Sequence, residues 1–244
     1  KEWIQLTKSF WESERSKDDK AAFDHPAPFL IKDIEKLVSF FTKKEMIVMD
    51  PFVGSGTTII AANNLNREAI GIDLNPDYYK LARSRFDDLE MDQSKYRYII
   101  GNSIYEIPKL ETVDYIVTSP PYHNILKNKN PGIRSDNSDK GYRNGSRQGI
   151  EYYSDKDEDL GNQETYEDFL IMFKKVMEES FKVLRNNKYL TIIVSDFTVD
   201  KKETNVQGDI VKLMEEIGFD FVGTAILLQD SKPLYPFGYP YAYV

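Results

Sequence analysis

Short apolar runs alternate with stretches of helical spacing along most of this chain. The runs at Met46–Met49, Glu68–Asp73, Lys95–Gly101, Thr112–Thr118, Lys188–Ser195 and Phe219–Leu228 read as strands. Met46–Met49 is continuously apolar, the pattern of a buried parallel strand. Between the runs, Ile31, Ile34, Leu37, Val38 and Phe41 recur at helical spacing, and so does the segment after Gly56, TTIIAANNL. Leu74-Asn75-Pro76 caps a further helix that runs to about Leu89. Phe169, Phe173, Val176, Met177 and Phe181 form one stripe of a helix over 163–184, and Asn205–Ile217 is a helix closed by Gly218. Residues 1–24 carry Trp3, Ile4, Leu6, Phe10 and Trp11 among charges, which predicts a peripheral arm or short helix with its aromatics docked on the core.

Strand and helix in alternation predict a three-layer, doubly wound, mostly parallel α/β sheet formed by one domain over residues 1–244. Ligands of such sheets meet the carboxyl ends of the strands. That edge would carry Asp50–Gly56, Asp73, Asn102-Ser103, Ser119–Tyr122 and Ser195-Asp196. Periodicity is lost only over 123–161. So long a stretch without pattern inside a domain points to function or disorder.

Met46–Thr58, MIVMDPFVGSGTT, is the most informative strand exit. A strand, a turn through Gly54-Ser55-Gly56 and a helix bring backbone N–H groups to a helix N-terminus. Glycine lets a ligand approach the backbone closely. A phosphate-binding P-loop would need a Lys before its Ser/Thr, and Gly56 is followed by Thr57 and Thr58. A dinucleotide fingerprint would need a third Gly where Ile59 stands. A different nucleoside-containing cofactor fits both departures. Asp73 lies 19 residues beyond Gly54, at a strand end, where an acid accepts from ribose hydroxyls. Asn102 suits either an adenine edge or an Asx turn.

Ser119-Pro120-Pro121-Tyr122 directly follows a strand. Two prolines stiffen the backbone and remove both N–H groups, which fixes the directions of the Ser119 and Pro120 carbonyls. A hydroxyl, fixed carbonyls and an aromatic ring suit a flat ligand that bears an amino group.

Composition narrows the choices. A net charge of −8 argues against a wholly basic nucleic-acid surface, so any such contact would be local. The sequence contains no Cys, which removes disulfides, thiolate metal sites and cysteine nucleophiles. No signal peptide or apolar run long enough for a membrane span is evident, and a cytoplasmic protein without metal or membrane partner is expected. Over 123–149, six cations (Lys127, Lys129, Arg134, Lys140, Arg143 and Arg147) outnumber Asp136 and Asp139. The following residues, 150–161, are acidic.

Asp50-Pro51-Phe52-Val53-Gly54-Ser55-Gly56-Thr57-Thr58 and Ser119-Pro120-Pro121-Tyr122 resemble the two signature motifs of amino-methylating DNA methyltransferases. These are the N6-adenine and N4-cytosine enzymes that use S-adenosylmethionine. His25-Pro26-Ala27-Pro28-Phe29 resembles their further cofactor motif, and the resemblance covers about residues 21–229. It implies the methyltransferase (Rossmann-like) fold. It assigns the cofactor to His25, Pro26 and Phe29; to Asp50, Pro51, Phe52, Gly54, Ser55, Gly56, Thr57 and Thr58; and to Asp73, Leu74, Asn102 and Ser103. The family more often has Asp where Asn102 stands. Ser119 and the Pro120 carbonyl would accept from the target amine, Pro121 would stiffen the motif, and Tyr122 would stack on a flipped base. Ser at the first position favours N4 of cytosine over N6 of adenine. An RNA N-methyltransferase and a non-catalytic cofactor-binding protein are the readings from other classes.

Double-stranded DNA is then the expected partner, with a cognate restriction endonuclease as a candidate second one. Only nine residues separate Ser103 from Val113, too few for a recognition domain. The stretch 123–161 is therefore the expected DNA-contacting insertion, with Lys127, Lys129, Arg134, Arg143 and Arg147 as its contacts. Methyltransferase sheets end in a hairpin with an antiparallel last strand, whereas only a Tyr/Pro-rich tail follows Leu228. A C-terminus that stops short is the expectation.

Overall fold

A computed structural model describes residues 8–25, 28–121, 153–195, 197–199 and 202–229. Among these residues, five strands form the central sheet: β2 (Ile47–Asp50), β3 (Glu68–Asp73), β4 (Tyr96–Ile100), β5 (Val113–Thr118) and β6 (Leu184–Ile192). All pairings are parallel, in the order β4-β3-β2-β5-β6. The chain winds outward from β2 to β4, then returns to β5 on the other side of β2. The β2/β5 junction is thus the topological switch point, where ligands of open α/β sheets bind.

Period-2 alternation of side chains divides the core in two. Val48, Tyr115 and Val117 pack with α1 (Ile31–Phe41), α2 (Thr57–Asn64) and α3 (Pro76–Asp88), against Ile34, Val38, Ile59, Ala82 and Phe86. Met49, Ile70, Ile72 and Ile116 face the opposite layer, α5 (Tyr166–Val183) and α6 (Val206–Ile217), against Phe169, Phe173, Met177 and Met214. Between β4 and β5 lies the short α4 (Ser103–Glu106). At the amino ends of the strands, buried Asp114 accepts from the Ile47 N–H at 3.1 Å and pairs with Arg185 at 2.7 Å, tying β2, β5 and β6. Caps match the sequence signals: Asn75 accepts from the Asp77 N–H at 2.9 Å, and Gly218 closes α6 in the left-handed region.

The sheet differs from expectation at its sixth strand. Only Ile226–Leu228 is extended (β9), and it pairs in parallel with β1 (Phe10–Glu12) instead of joining the central sheet. Ile226 and Leu228 are exposed, so this run lacks the two buried faces that a central parallel strand requires. The predicted arm is that strand together with a 3-10 helix at Lys17–Asp24; Trp11 packs on the core while Phe10 is exposed. A small antiparallel pair, β7 (Phe197–Val199) with β8 (Lys202–Thr204), precedes α6. Strand β6 also begins earlier than predicted, at Leu184, and includes the polar Arg185-Asn186-Asn187. Among the described residues it is an edge of the sheet, where polar side chains are tolerated. Among the described residues no helix is long and apolar enough to cross a membrane.

Candidate active site

The turn after β2 is fixed from several directions. Asp50 is buried at the strand end, and its Oδ1 accepts from the Phe52 N–H at 3.0 Å and from Thr118 Oγ1 at 2.7 Å. Its Oδ2 accepts from Thr58 Oγ1 at 2.6 Å. Burial pushes this carboxyl up to about 6, against the pull of the three donors. The Gly56 N–H closes the turn on the Val53 carbonyl at 2.9 Å, and the Val53 N–H bonds the Ile72 carbonyl of β3 at 3.0 Å.

Three carbonyls of the turn are taken by side chains from elsewhere. Ser103 Oγ donates to Pro51 at 2.6 Å, Tyr98 Oη to Gly54 at 2.7 Å and Arg85 Nη1 to Ser55 at 2.6 Å. Glycine is required at two points. Gly54 and Gly56 have φ of 48° and 82°, in the left-handed region. A Cβ on Gly54 would lie 2.8 Å from His25 Nε2, and one on Gly56 2.5 Å from Phe86 Cζ.

Asp73, at the end of β3, accepts from the Gly54 N–H through Oδ2 at 2.8 Å and from the Asn75 N–H through Oδ1 at 2.9 Å. Each oxygen keeps a further acceptor position. Burial, with Asp159 and Asp50 nearby, raises its carboxyl to about 7. Asn102 caps α4 with its Oδ1, which accepts from the Ile104 N–H at 3.0 Å. The Asx geometry weighed from sequence is therefore present, and that oxygen is already engaged.

The strand ends line a small cavity, about 90 Å³. His25 and Phe29 line it from the segment before α1. Pro51, Phe52, Gly54, Ser55 and Thr57 line it from the turn. Asp73, Leu74, Asn102 and Ser103 contribute from β3 and β4, and Ser119, Pro120 and Pro121 from β5. Asp50, Gly56 and Thr58 stand behind this lining rather than in it. Pro26, Tyr122, Asp196 and the cations Lys127, Lys129, Arg134, Arg143 and Arg147 lie outside the described residues.

One wall of the cavity comes from a stretch that the sequence assigned to the insertion. Tyr153, Glu158, Asp159 and Leu160 line it, and the Asn75 amide donates to the Tyr153 carbonyl at 2.6 Å. Tyr78 also lines it; the His25 ring centroid lies 4.3 Å from that of Tyr78 and 6.1 Å from that of Tyr153. Tyr78 follows the recognised Asn75-Pro76 helix start by one turn, a spacing that could have flagged it. Residues 153–160 have no periodicity, so nothing local announced them. Among the described residues, no group of three or more His, Asp or Glu is arranged to hold a metal ion.

Residues 2–84 match a family of proteins described as DNA methylases. This match includes the glycine turn and Asp73 and ends before Ser119. The chain is 39% identical over 71 residues to the Type II methyltransferase M2.LlaDCHI of Lactococcus lactis subsp. cremoris, which covers 29% of this chain and 26% of that protein. It is 38% identical over 81 residues to the Type II methyltransferase M2.DpnII of Streptococcus pneumoniae, 33% of this chain and 30% of that protein. With M.HindIII of Haemophilus influenzae it shares 44% identity over 61 residues, 25% of this chain and 20% of that protein. The chain thus spans well under half of each of these relatives. Among solved structures, a precorrin 8w decarboxylase from Methanobacterium thermoautotrophicum superposes with a TM-score of 0.50 at 10% identity, over 85% of this chain and 79% of that one. This likeness is one of fold, the open Rossmann-like sheet.

Proposed function

We propose that this chain, whose residues 2–84 match the DNA methylase family, is the catalytic part of an S-adenosylmethionine-dependent DNA amino-methyltransferase. The preferred target is N4 of cytosine. The observation that carries this reading is the hydrogen bond from Thr118 Oγ1 to Asp50 Oδ1, 2.7 Å. It joins the exit of β5 to the exit of β2, so that Ser119-Pro120-Pro121 and the glycine turn face one cavity.

The lining fits a nucleoside bearing an amino-acid tail. Gly54 and Gly56 keep the turn free of Cβ atoms where the backbone is approached closely. The two Asp73 oxygens suit a pair of ribose hydroxyls, and the amide of Asn102 suits a purine edge. His25, Phe29 and Tyr78 add rings to the lining. When bound, the cofactor would supply a methyl group already activated on a sulfonium.

The protein's part is then positioning. An exocyclic base amine is a weak nucleophile because its lone pair is delocalised into the ring. Ser119 Oγ and the Pro120 carbonyl would accept its two N–H bonds out of the ring plane, favouring a pyramidal nitrogen with its lone pair aimed at the methyl. Pro120 and Pro121 carry no N–H, so the backbone that presents these acceptors is stiff. Methyl transfer would make the N–C bond at the expense of the S–C bond, and Ser119 Oγ would take the proton shed by the nitrogen while passing its own on to solvent. No enzyme nucleophile takes part, consistent with a chain that has no Cys. The base must leave the duplex, at a cost of a few kcal/mol. Tyr122 is proposed to stack on it.

The basic stretch 123–149 is proposed to contact DNA, on charge alone. Reversing Lys127, Lys129, Arg143 and Arg147 to Glu should abolish DNA binding and spare cofactor binding; unchanged DNA affinity would defeat that assignment. The reading as a whole is tested by incubation with labelled S-adenosylmethionine and either mixed-sequence DNA or tRNA, followed by mass analysis of the nucleosides. N4-methylcytosine is the expected product. N6-methyladenine would change the target base, product on tRNA alone would change the substrate, and binding without product would leave a non-catalytic protein.

A further inference from the structure

Arg85 is the most deeply buried cation among the described residues, 2% exposed, and lies behind the glycine turn rather than in the cavity. Its Nη1 donates to the Ser55 carbonyl at 2.6 Å, to Ser55 Oγ at 3.1 Å and to Thr57 Oγ1 at 3.0 Å. Its Nε and Nη2 are buried without a hydrogen-bond partner among the described residues. Burying a guanidinium with two unpaired nitrogens is unfavourable, and an apolar side chain of similar size would fill the space at lower cost. What an apolar residue could not do is hold three oxygens of the turn.

We infer that Arg85 is a positioning residue for the cofactor, which presets the glycine turn and turns the hydroxyls of Ser55 and Thr57 into donors facing the cavity. By taking the Ser55 carbonyl, it fixes the Ser55–Gly56 peptide plane. The other end of that plane, the Gly56 N–H, then points to the Val53 carbonyl at 2.9 Å. This holds Gly56 at φ 82°. A hydroxyl that accepts from a cation directs its own proton elsewhere. Ser55 and Thr57 both line the cavity, so each has a proton to offer a ligand acceptor there. Ala82 and Phe86, which flank Arg85 on the same face of α3, pack within reach of Gly56 and keep the guanidinium under the turn. Burial lowers the Arg85 pKa to about 10, with Asp19 and Asp18 opposing, so the side chain stays charged at neutral pH.

The inference rests on the proposed cofactor reading, and binding of S-adenosylhomocysteine separates the two. Calorimetric titration of the wild-type chain should show binding; if it does not, the cofactor reading fails and takes this role with it. With binding established, Arg85→Met should raise Kd about tenfold or more, because bonds from a charged donor are lost. Arg85→Lys should recover part of the loss, and guanidinium ion at tens of millimolar should recover part of it in Arg85→Ala. Thr57→Val should weaken binding in the wild-type background and have little further effect beside Arg85→Met. If Arg85→Met does not fold, the same cycle is run with Arg85→Lys. A folded Arg85 variant that binds within twofold of wild type, or Arg85 and Thr57 effects that simply add, would overturn the assignment.

Discussion

Around the turn after β2, side chains from β4, α4 and α3 take the carbonyls of Gly54, Pro51 and Ser55. At the exit of β5, which runs beside it, the fixed points among the described residues are the Thr118 hydroxyl on Asp50 at 2.7 Å and the Ile193 N–H on the Thr118 carbonyl at 2.8 Å. Beyond Thr118, stiffness is supplied by Pro120 and Pro121 themselves. Among the described residues, the proposed cofactor side is therefore preset by many contacts between elements, and the proposed target side chiefly by its covalent rings. The difference suits the two tasks. A turn must be forced to keep left-handed glycines and buried polar groups in place, whereas two acceptors need only a rigid short peptide. The two sides should accordingly break in different ways.

The largest expected effect is on the target side. Ser119→Ala should lower methyl transfer by about 10²–10³-fold, the scale of losing one preorganised polar partner in the transition state. S-adenosylhomocysteine affinity should stay within about twofold. Single-turnover rates beside calorimetric Kd values check this; a matching loss of cofactor affinity would mean that the two sides are not separable.

Next comes the turn. Gly56→Ala places a Cβ at φ 82° and 2.5 Å from Phe86 Cζ. A strained backbone and an overpacked contact together should destabilise the fold by about 2–4 kcal/mol. Urea denaturation measures this. Loss of cofactor affinity without loss of stability would show that Phe86 yields, and that the turn is less constrained than its neighbours suggest.

How much of this was legible differs between the same two regions. Gly54, Gly56, Asp73 and Ser119–Pro121 announce themselves because their chemistry is local: a turn, a strand end, a pair of prolines. The residues that fix the turn do not. Arg85 sits in a helix whose apolar spacing is clear, and an Arg there reads as a solvated face, since Arg is seldom fully buried unless paired. Tyr98 reads as one more residue of a strand. Residues 153–160 carry no period and were grouped with the charged stretch before them; their place is set by contacts with His25 and Asn75, far away in sequence. The sixth strand failed for a related reason, because the run Phe219–Leu228 cannot say how much of it will be extended or which partner it will find.

A smaller effect distinguishes the two sides by pH. Asp73 is raised to about 7 by burial, and ribose hydroxyls would favour its ionised form. Binding then expels a proton, so S-adenosylhomocysteine affinity should rise with pH up to about 7, by at most about tenfold per unit, and flatten above. Asp73→Asn should bind more weakly at pH 8 and lose this slope. In the free protein the sign is opposite. Asp73 and Asp50 hold protons above the ordinary carboxylate pKa of about 4 that the unfolded chain has released, so their contribution to stability falls as pH rises from about 4 to about 7. Titrations of affinity and of stability against pH should therefore slope in opposite directions, and parallel slopes would remove Asp73 from the ribose.

The smallest expected effect concerns the wall at 153–160, which belongs to the cofactor side only if its contacts matter there. Asn75 performs two tasks: Oδ1 caps α3 on the Asp77 N–H at 2.9 Å, and Nδ2 donates to the Tyr153 carbonyl at 2.6 Å. Asn75→Ser keeps a capping oxygen and removes the amide donor, so it separates the two. Stability should change by less than about 0.5 kcal/mol, because Ser caps nearly as well as Asn. S-adenosylhomocysteine affinity should fall about fivefold, the equivalent of one ordinary hydrogen bond of about 1 kcal/mol. Ser119-dependent methyl transfer at saturating cofactor should be unchanged. A variant whose affinity matches wild type would show that the wall closes without that bond, and that the preset part of the cavity ends at Tyr78.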